Sequence, residues 1–78
     1  MNELFYIVIR IFDKGEQKNH SVQEFTDKRT ATQRFYNIIA ADLADDTVTY
    51  QYTEIRDCFG GMVDGLNPVI YDRRPVNA

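Results

Sequence analysis

The chain has 78 residues, 44% of them hydrophobic and 13% aromatic, with nine Lys or Arg against twelve Asp or Glu and a formal net charge of −3. A chain of this length makes one domain that buries only about 60% of the surface its unfolded form exposes, and this composition excludes a disordered chain. The acidic balance excludes a basic nucleic-acid footprint, yet it falls well short of the dense acidity of a DNA mimic.

The charge is polarised along the sequence. Residues 1 to 34 hold six Lys or Arg against five Asp or Glu, whereas residues 35 to 72 hold one against seven. The single cysteine, Cys58, excludes an intrachain disulfide and fits a reducing compartment. Leu4 to Ile9 is a continuous apolar run, but no basic residue precedes it and Arg10 interrupts it. It is too short to span a bilayer and reads as a buried strand of a cytoplasmic protein, with no membrane contact expected.

The first predicted element is a strand over residues 4–12, because β-branched and aromatic residues dominate it. Phe5, Ile7, Ile9 and Ile11 share one face; Leu4, Tyr6, Val8, Arg10 and Phe12 share the other. Both faces are apolar, which places the strand in the middle of a sheet. Asp13 to Asn19, polar with a central Gly15, reads as a hairpin loop, and His20 to Thr26 as a short edge strand. Ser21 to Glu24 also matches a capping box, but a helix starting there would turn Val22 away from its apolar stripe.

The helix predicted over residues 27–44 is the clearest element. Ala31, Phe35, Ile38, Ile39 and Leu43 lie on one side of a 3.6-residue wheel, and Thr26 or Asp27 can cap its first turn. Thr47 to Asp57 then reads as a long strand, with Val48, Tyr50 and Tyr52 on one face and Thr49, Gln51 and Thr53 on the other. Gly60-Gly61 and Asp64-Gly65 mark turns, Pro68 to Asp72 a last strand, and residues 73–78 a flexible tail behind a domain of residues 1–72.

The sum is an α+β fold of ββαββ order. If the first two strands form a hairpin and the helix returns the chain, the strands assemble as a four-stranded antiparallel sheet in the order 2-1-3-4. One helix covers one face of such a sheet. The other, expected to carry Tyr6, Val8, Arg10 and Phe12, is left open, and an exposed apolar patch of that size marks an interaction surface. The expected partner is a second copy, giving a homodimer, or another protein.

Groups with chemical potential are few. Lys28 and Arg29 at the helix start and Asp42, Asp45 and Asp46 at its end oppose the helix dipole. With Arg34, the two basic residues are the candidate contact for an anion or nucleic acid. That contact supports an alternative role as a regulatory or mobile-element accessory protein that binds nucleic acid or a nucleic-acid enzyme. Lys14 and Lys18 join Lys28, Arg29 and Arg34 in the one basic cluster of the sequence. Asp42 falls inside the apolar stripe, where a carboxylate needs a partner: it either reaches water from the last turn or pairs with an Arg such as Arg10 or Arg56.

His20 and Cys58 lie far apart in sequence and supply neither a nucleophile with its base nor a zinc ligand set. Gly60-Gly61 lacks the spacing of a phosphate loop, and Asp57, Asp64 and Asp72 lack that of a calcium loop. No catalytic residue, cofactor or metal is expected. The sequence reads as a small interaction or structural protein rather than an enzyme.

Overall fold

The computed structural model describes residues 5–74. Its elements are β1 (Tyr6–Lys14), β2 (Gln17–Phe25), α1 (Lys28–Ala44), β3 (Val48–Asp57) and β4 (Val69–Asp72). The four strands form one sheet in the order β2-β1-β3-β4 with every neighbouring pair antiparallel. This is the ββαββ arrangement that the sequence pattern predicts.

The first hairpin is tighter than its polar stretch suggests. Lys14 pairs with Gln17, so only Gly15 and Glu16 form the loop. Gly15 takes φ +61 there, a left-handed conformation that a residue without Cβ adopts at little cost. The hairpin gains strand at the expense of loop, and β2 reaches nine residues in place of the short edge strand expected.

The helix starts at Lys28 because Asp27 caps it. The Asp27 carboxylate accepts hydrogen bonds from the Thr30 amide at 3.0 Å and the Thr30 hydroxyl at 2.7 Å. These bonds, the hydroxyl's first, hold the Asp27 carboxyl below its ordinary 3.8. At the other end Asp45 bonds the Thr47 amide and hydroxyl at 2.9 and 2.6 Å, turning the chain into β3. A capped helix of 17 residues is still marginal in water and needs its apolar face buried.

That face closes the core. Ala31, Phe35 and Ile39 pack with Val8, Ile55 and Val63, and Tyr6, Phe25, Ile38, Leu66 and Val69 border them. Leu43, expected in the stripe, is 38% exposed, and Asp42, 2% exposed, takes the inward position on the last turn. The layer beneath the helix is therefore divided. Its first half is aliphatic and aromatic; its second half is polar, with Arg10 opposite Thr53 and Phe12 opposite Gln51.

The polar half is hydrogen-bonded internally. Arg10 donates from Nε to one Asp42 oxygen at 3.0 Å and from Nη2 to the other, a two-pronged ion pair, and its guanidinium lies 3.6 Å from the Phe12 ring centroid. Thr53, fully buried, donates its hydroxyl to Gln51 Oε1, and Gln51 Nε2 donates to the Val69 carbonyl at 3.0 Å. Among the described residues, no buried side-chain nitrogen or oxygen lacks a partner.

This corrects the assignment of the sheet's faces. Tyr6, Val8, Arg10 and Phe12, expected on the uncovered face, lie beneath the helix. Val8 sits at 1% exposure among Phe35 and Ile55, and Arg10 is tied to a helix residue. The reason is physical: both faces of β1 are nearly equally apolar, so hydropathy cannot choose between them. The buried carboxylate of Asp42 can, because it must face a cation, and Arg10 is the cation of β1 that reaches it while Lys14 pairs with Asp45.

The segment expected to begin a tail is held at its start. The Arg73 amide bonds the Thr49 carbonyl at 2.7 Å, and its guanidinium donates to the carbonyls of Leu43 and Asp45 at 2.5 and 3.0 Å. The helix has no basic residue in its own last turn. Arg73 supplies that charge from beyond β4, where it satisfies free carbonyls and complements the dipole. Residues 75–78 lie outside the described residues.

Candidate interaction surface

Strand alternation puts Ile7, Ile9 and Ile11 on the face of β1 that turns away from the helix. Directly paired residues share a face, so the register extends this row across the sheet. Glu24, Val22 and His20 of β2 stand beside the three isoleucines on one side; Arg56, Glu54 and Tyr52 of β3 stand on the other. Ile70 follows next to Tyr52. The helix packs on the opposite face, and Ile11, Val22 and Ile70 are 41%, 59% and 55% exposed.

Polar groups frame the row. The Tyr52 hydroxyl donates to Glu54 Oε2 at 2.7 Å, and Arg56 Nε donates to the same oxygen at 3.2 Å. The Tyr52 phenol is raised above its ordinary 10.0, first by the hydrogen bond to Glu54, which needs the proton, and then by burial. At the far corner Arg74 covers the Tyr50 ring at 4.6 Å and pairs with Asp72 at 2.7 Å. Hydrogen bonds from the Arg74 side chain and amide bring the Asp72 carboxyl down to about 2.

The basic candidates are not gathered into one patch. Lys28 pairs with Asp64 at 3.2 Å at the helix start, whereas Lys14 pairs with Asp45 at 3.4 Å at its end. A helix of this length separates them by about 25 Å. Arg34 stands about 140° around the helix from Arg29, at 100° per residue. Lys28 and Arg29 share a hollow with Thr32, Gln33, Tyr36 and Asp64, where the Asp64 carboxylate offsets their charge. The charges that oppose the helix dipole are thus largely answered by partners from other elements: Lys28 by Asp64, Asp42 by Arg10 and Asp45 by Lys14.

The remaining candidates stay apart. His20 is exposed on β2 at the level of Tyr52, while Cys58 follows the far end of β3, about 20 Å along the strands at 3.3 Å per residue. Gly60-Gly61 forms a turn built around Asp57, whose carboxylate accepts from the amides of Phe59 and Gly61, both at 2.9 Å. Gly60 takes φ +80 in this turn, and the loop leaves Phe59 at its tip, 82% exposed. Beside it lies a hollow of 220 Å³ lined by Tyr6, Lys28, Asp57, Met62 and Val63 among others.

The residues missed by sequence reasoning are those of the open face itself: Ile7, Ile9, Ile11, Val22, Tyr52 and Ile70. One available signal could have found them. Pairing Asp42 with Arg10 fixes the inward face of β1 and, by alternation, the outward one.

Comparison with protein-family models, with curated proteins and with solved structures finds no match for this chain. No helix among the described residues is long and apolar enough to cross a membrane.

Proposed function

We propose that this protein is a non-enzymatic interaction module whose uncovered sheet face receives another polypeptide, either a second copy or a different protein. The observation that carries this reading is the row of Ile7, Ile9 and Ile11, with Val22 and Ile70, on a face that no other element among the described residues packs against. The strands have nine, nine, ten and four residues. At about 3.3 Å per residue and 4.8 Å between strands the whole face, apolar and charged residues together, measures roughly 500 Å².

Contact with nucleic acid has less support, since the basic residues are dispersed and Lys28 and Lys14 are engaged in ion pairs. Mixed apolar and charged side chains also suit a protein contact better than a phosphate backbone.

The test is Ile9→Glu, which puts a charge at the centre of the row without touching the core. Sedimentation equilibrium and circular dichroism are read together. The expected result is a folded variant that has lost self-association, or has lost binding to a protein isolated with the wild type. A folded variant that associates as the wild type does would refute the reading.

A further inference from the structure

We propose that β2 pairs edge to edge with β2 of a second copy, so that two sheets join into one of eight strands around a two-fold axis at Ser21. This contact uses the border of the sheet rather than its open face and stands or falls separately from the reading above.

Among the described residues, β2 has a strand neighbour on one side alone, β1, and its outer side is open along its whole length. β2 is a nine-residue border strand with no proline, and its register against β1 runs without a shift from Gln17 to Phe25. None of its residues is buried. The other border is different: β4 has four residues, follows Pro68 and leads into the anchored Arg73. A long, unprotected border strand is a template for another strand unless something blocks it.

The hairpin sets which groups point outward. In a two-residue loop the flanking residues, Lys14 and Gln17, form a hydrogen-bonded pair, and such pairs alternate along the ladder. The odd residues of β2 therefore bond β1. Lys18, His20, Val22 and Glu24 direct their amides and carbonyls away from the sheet.

The charges choose the partner and the alignment. A two-fold axis at Ser21 sets Lys18 opposite Glu24 of the second copy, Glu24 opposite its Lys18, and each His20 opposite a Val22. All nine residues are paired. The outward groups then form about eight backbone hydrogen bonds in antiparallel geometry. Lys18 and Glu24 lie on the same face of the sheet, as cross-strand charge pairing requires. An axis at His20 would oppose Glu16 and Glu24, and an axis at Val22 would leave Lys18 facing Thr26. Only the central alignment satisfies both ends, and the charges at the two ends of a border strand that would repel a shifted copy attract a centred one.

The experiment is a charge exchange read by sedimentation equilibrium and by residue-resolved amide exchange. Glu24→Lys sets like charges opposite each other at both ends and is expected to weaken the dimer on the order of tenfold. Lys18→Glu acts in the same sense, although Lys18 also stands opposite Asp13 on β1. The double variant Lys18→Glu with Glu24→Lys restores complementarity and is expected to recover most of the loss.

In the wild type the amides of Lys18, His20, Val22 and Glu24 should gain protection as concentration rises. Those of Asn19, Ser21 and Gln23 should be protected throughout. A protein that remains monomeric at millimolar concentration would overturn the proposal. So would a dimer whose even-numbered β2 amides stay unprotected, or a double variant as weak as the single ones. Dissociation by Ile9→Glu with no response to the charge exchange would assign association to the open face alone.

Discussion

The sharpest energetic prediction concerns the ion pair beneath the helix, because its two ends are buried to different extents. The Asp42 side chain is 2% exposed and the Arg10 side chain 25%. Replacing Arg10 by Met leaves a carboxylate on the last helical turn with no cation and little water. Removing one partner from a buried pair costs about 3–5 kcal/mol. For a domain of this size each kcal/mol moves the melting temperature by about 4–8 °C, so a loss of at least about 12 °C is expected. Asp42→Leu removes the other partner, but its Arg10 still has the Phe12 ring and partial access to water. Its cost should be near 1–2 kcal/mol.

The double variant Arg10→Met with Asp42→Leu removes both charges and fills the space with apolar atoms. It should be more stable than Arg10→Met alone and close to the wild type, as apolar replacement of a buried pair commonly is. The assay is urea unfolding followed by circular dichroism for the wild type and the three variants, which closes a double-mutant cycle. If Arg10→Met costs less than Asp42→Leu, or if the double variant is the least stable of the three, the argument from unequal burial is wrong.

Further expectations follow from the ends of the elements. Arg73→Ala removes the cation from the helix C-terminus and should cost about 1 kcal/mol, with faster amide exchange confined to the last turn of α1 and the first residues of β3. Gly60→Ala places a Cβ at φ +80 and should destabilise by about 1 kcal/mol although nothing stands within 4 Å of it, because the cost is conformational; thermal unfolding checks it. Asp27, Asp45 and Asp72 are held below their ordinary 3.8, Asp72 to about 2, so on acidification the unfolded chain takes up protons first. Their contribution is complete above about pH 4 and is lost as pH falls towards 2, a slope that Asp72→Asn should reduce in acid titrations followed by circular dichroism. Tyr52 is shifted in the other direction: its phenol stays protonated in the fold above the ordinary 10.0, and its contribution, full below pH 10, disappears as pH rises through the folded value. Ultraviolet titration of the wild type against Tyr52→Phe should isolate that late-ionising phenol.

The elements were legible because local chemistry specifies each of them. Asp27 announces the helix start, the β-branched Thr47-Val48-Thr49 its end, and alternating apolar residues β1. The strand order followed from connectivity, since a hairpin and one helical crossover leave few alternatives. The errors of extent have local causes too. Lys18 and Asn19 are polar and look like loop, but on a border strand most side chains meet water, so polarity there carries no information about conformation. Arg73 looked like tail because its partners are the carbonyls of Leu43 and Asp45, which no side-chain pattern displays.

The inversion of the sheet's faces has a different origin and bears most on function. Alternation divides β1 into two sets of side chains but does not say which set meets the helix when both are apolar. Hydropathy slightly favours Ile7, Ile9 and Ile11 as the inward set, and a core packed from them would be more apolar than the one observed. Such a core would separate Asp42 from Arg10, at a cost of about 3–5 kcal/mol, and would bring to the helix side only Arg56, three residues along the ladder at the level of Ile7. One carboxylate at 2% exposure therefore outweighs three isoleucines in orienting the strand. The same choice turns the isoleucines outward, and so the polar half of the core determines which apolar surface remains for a partner.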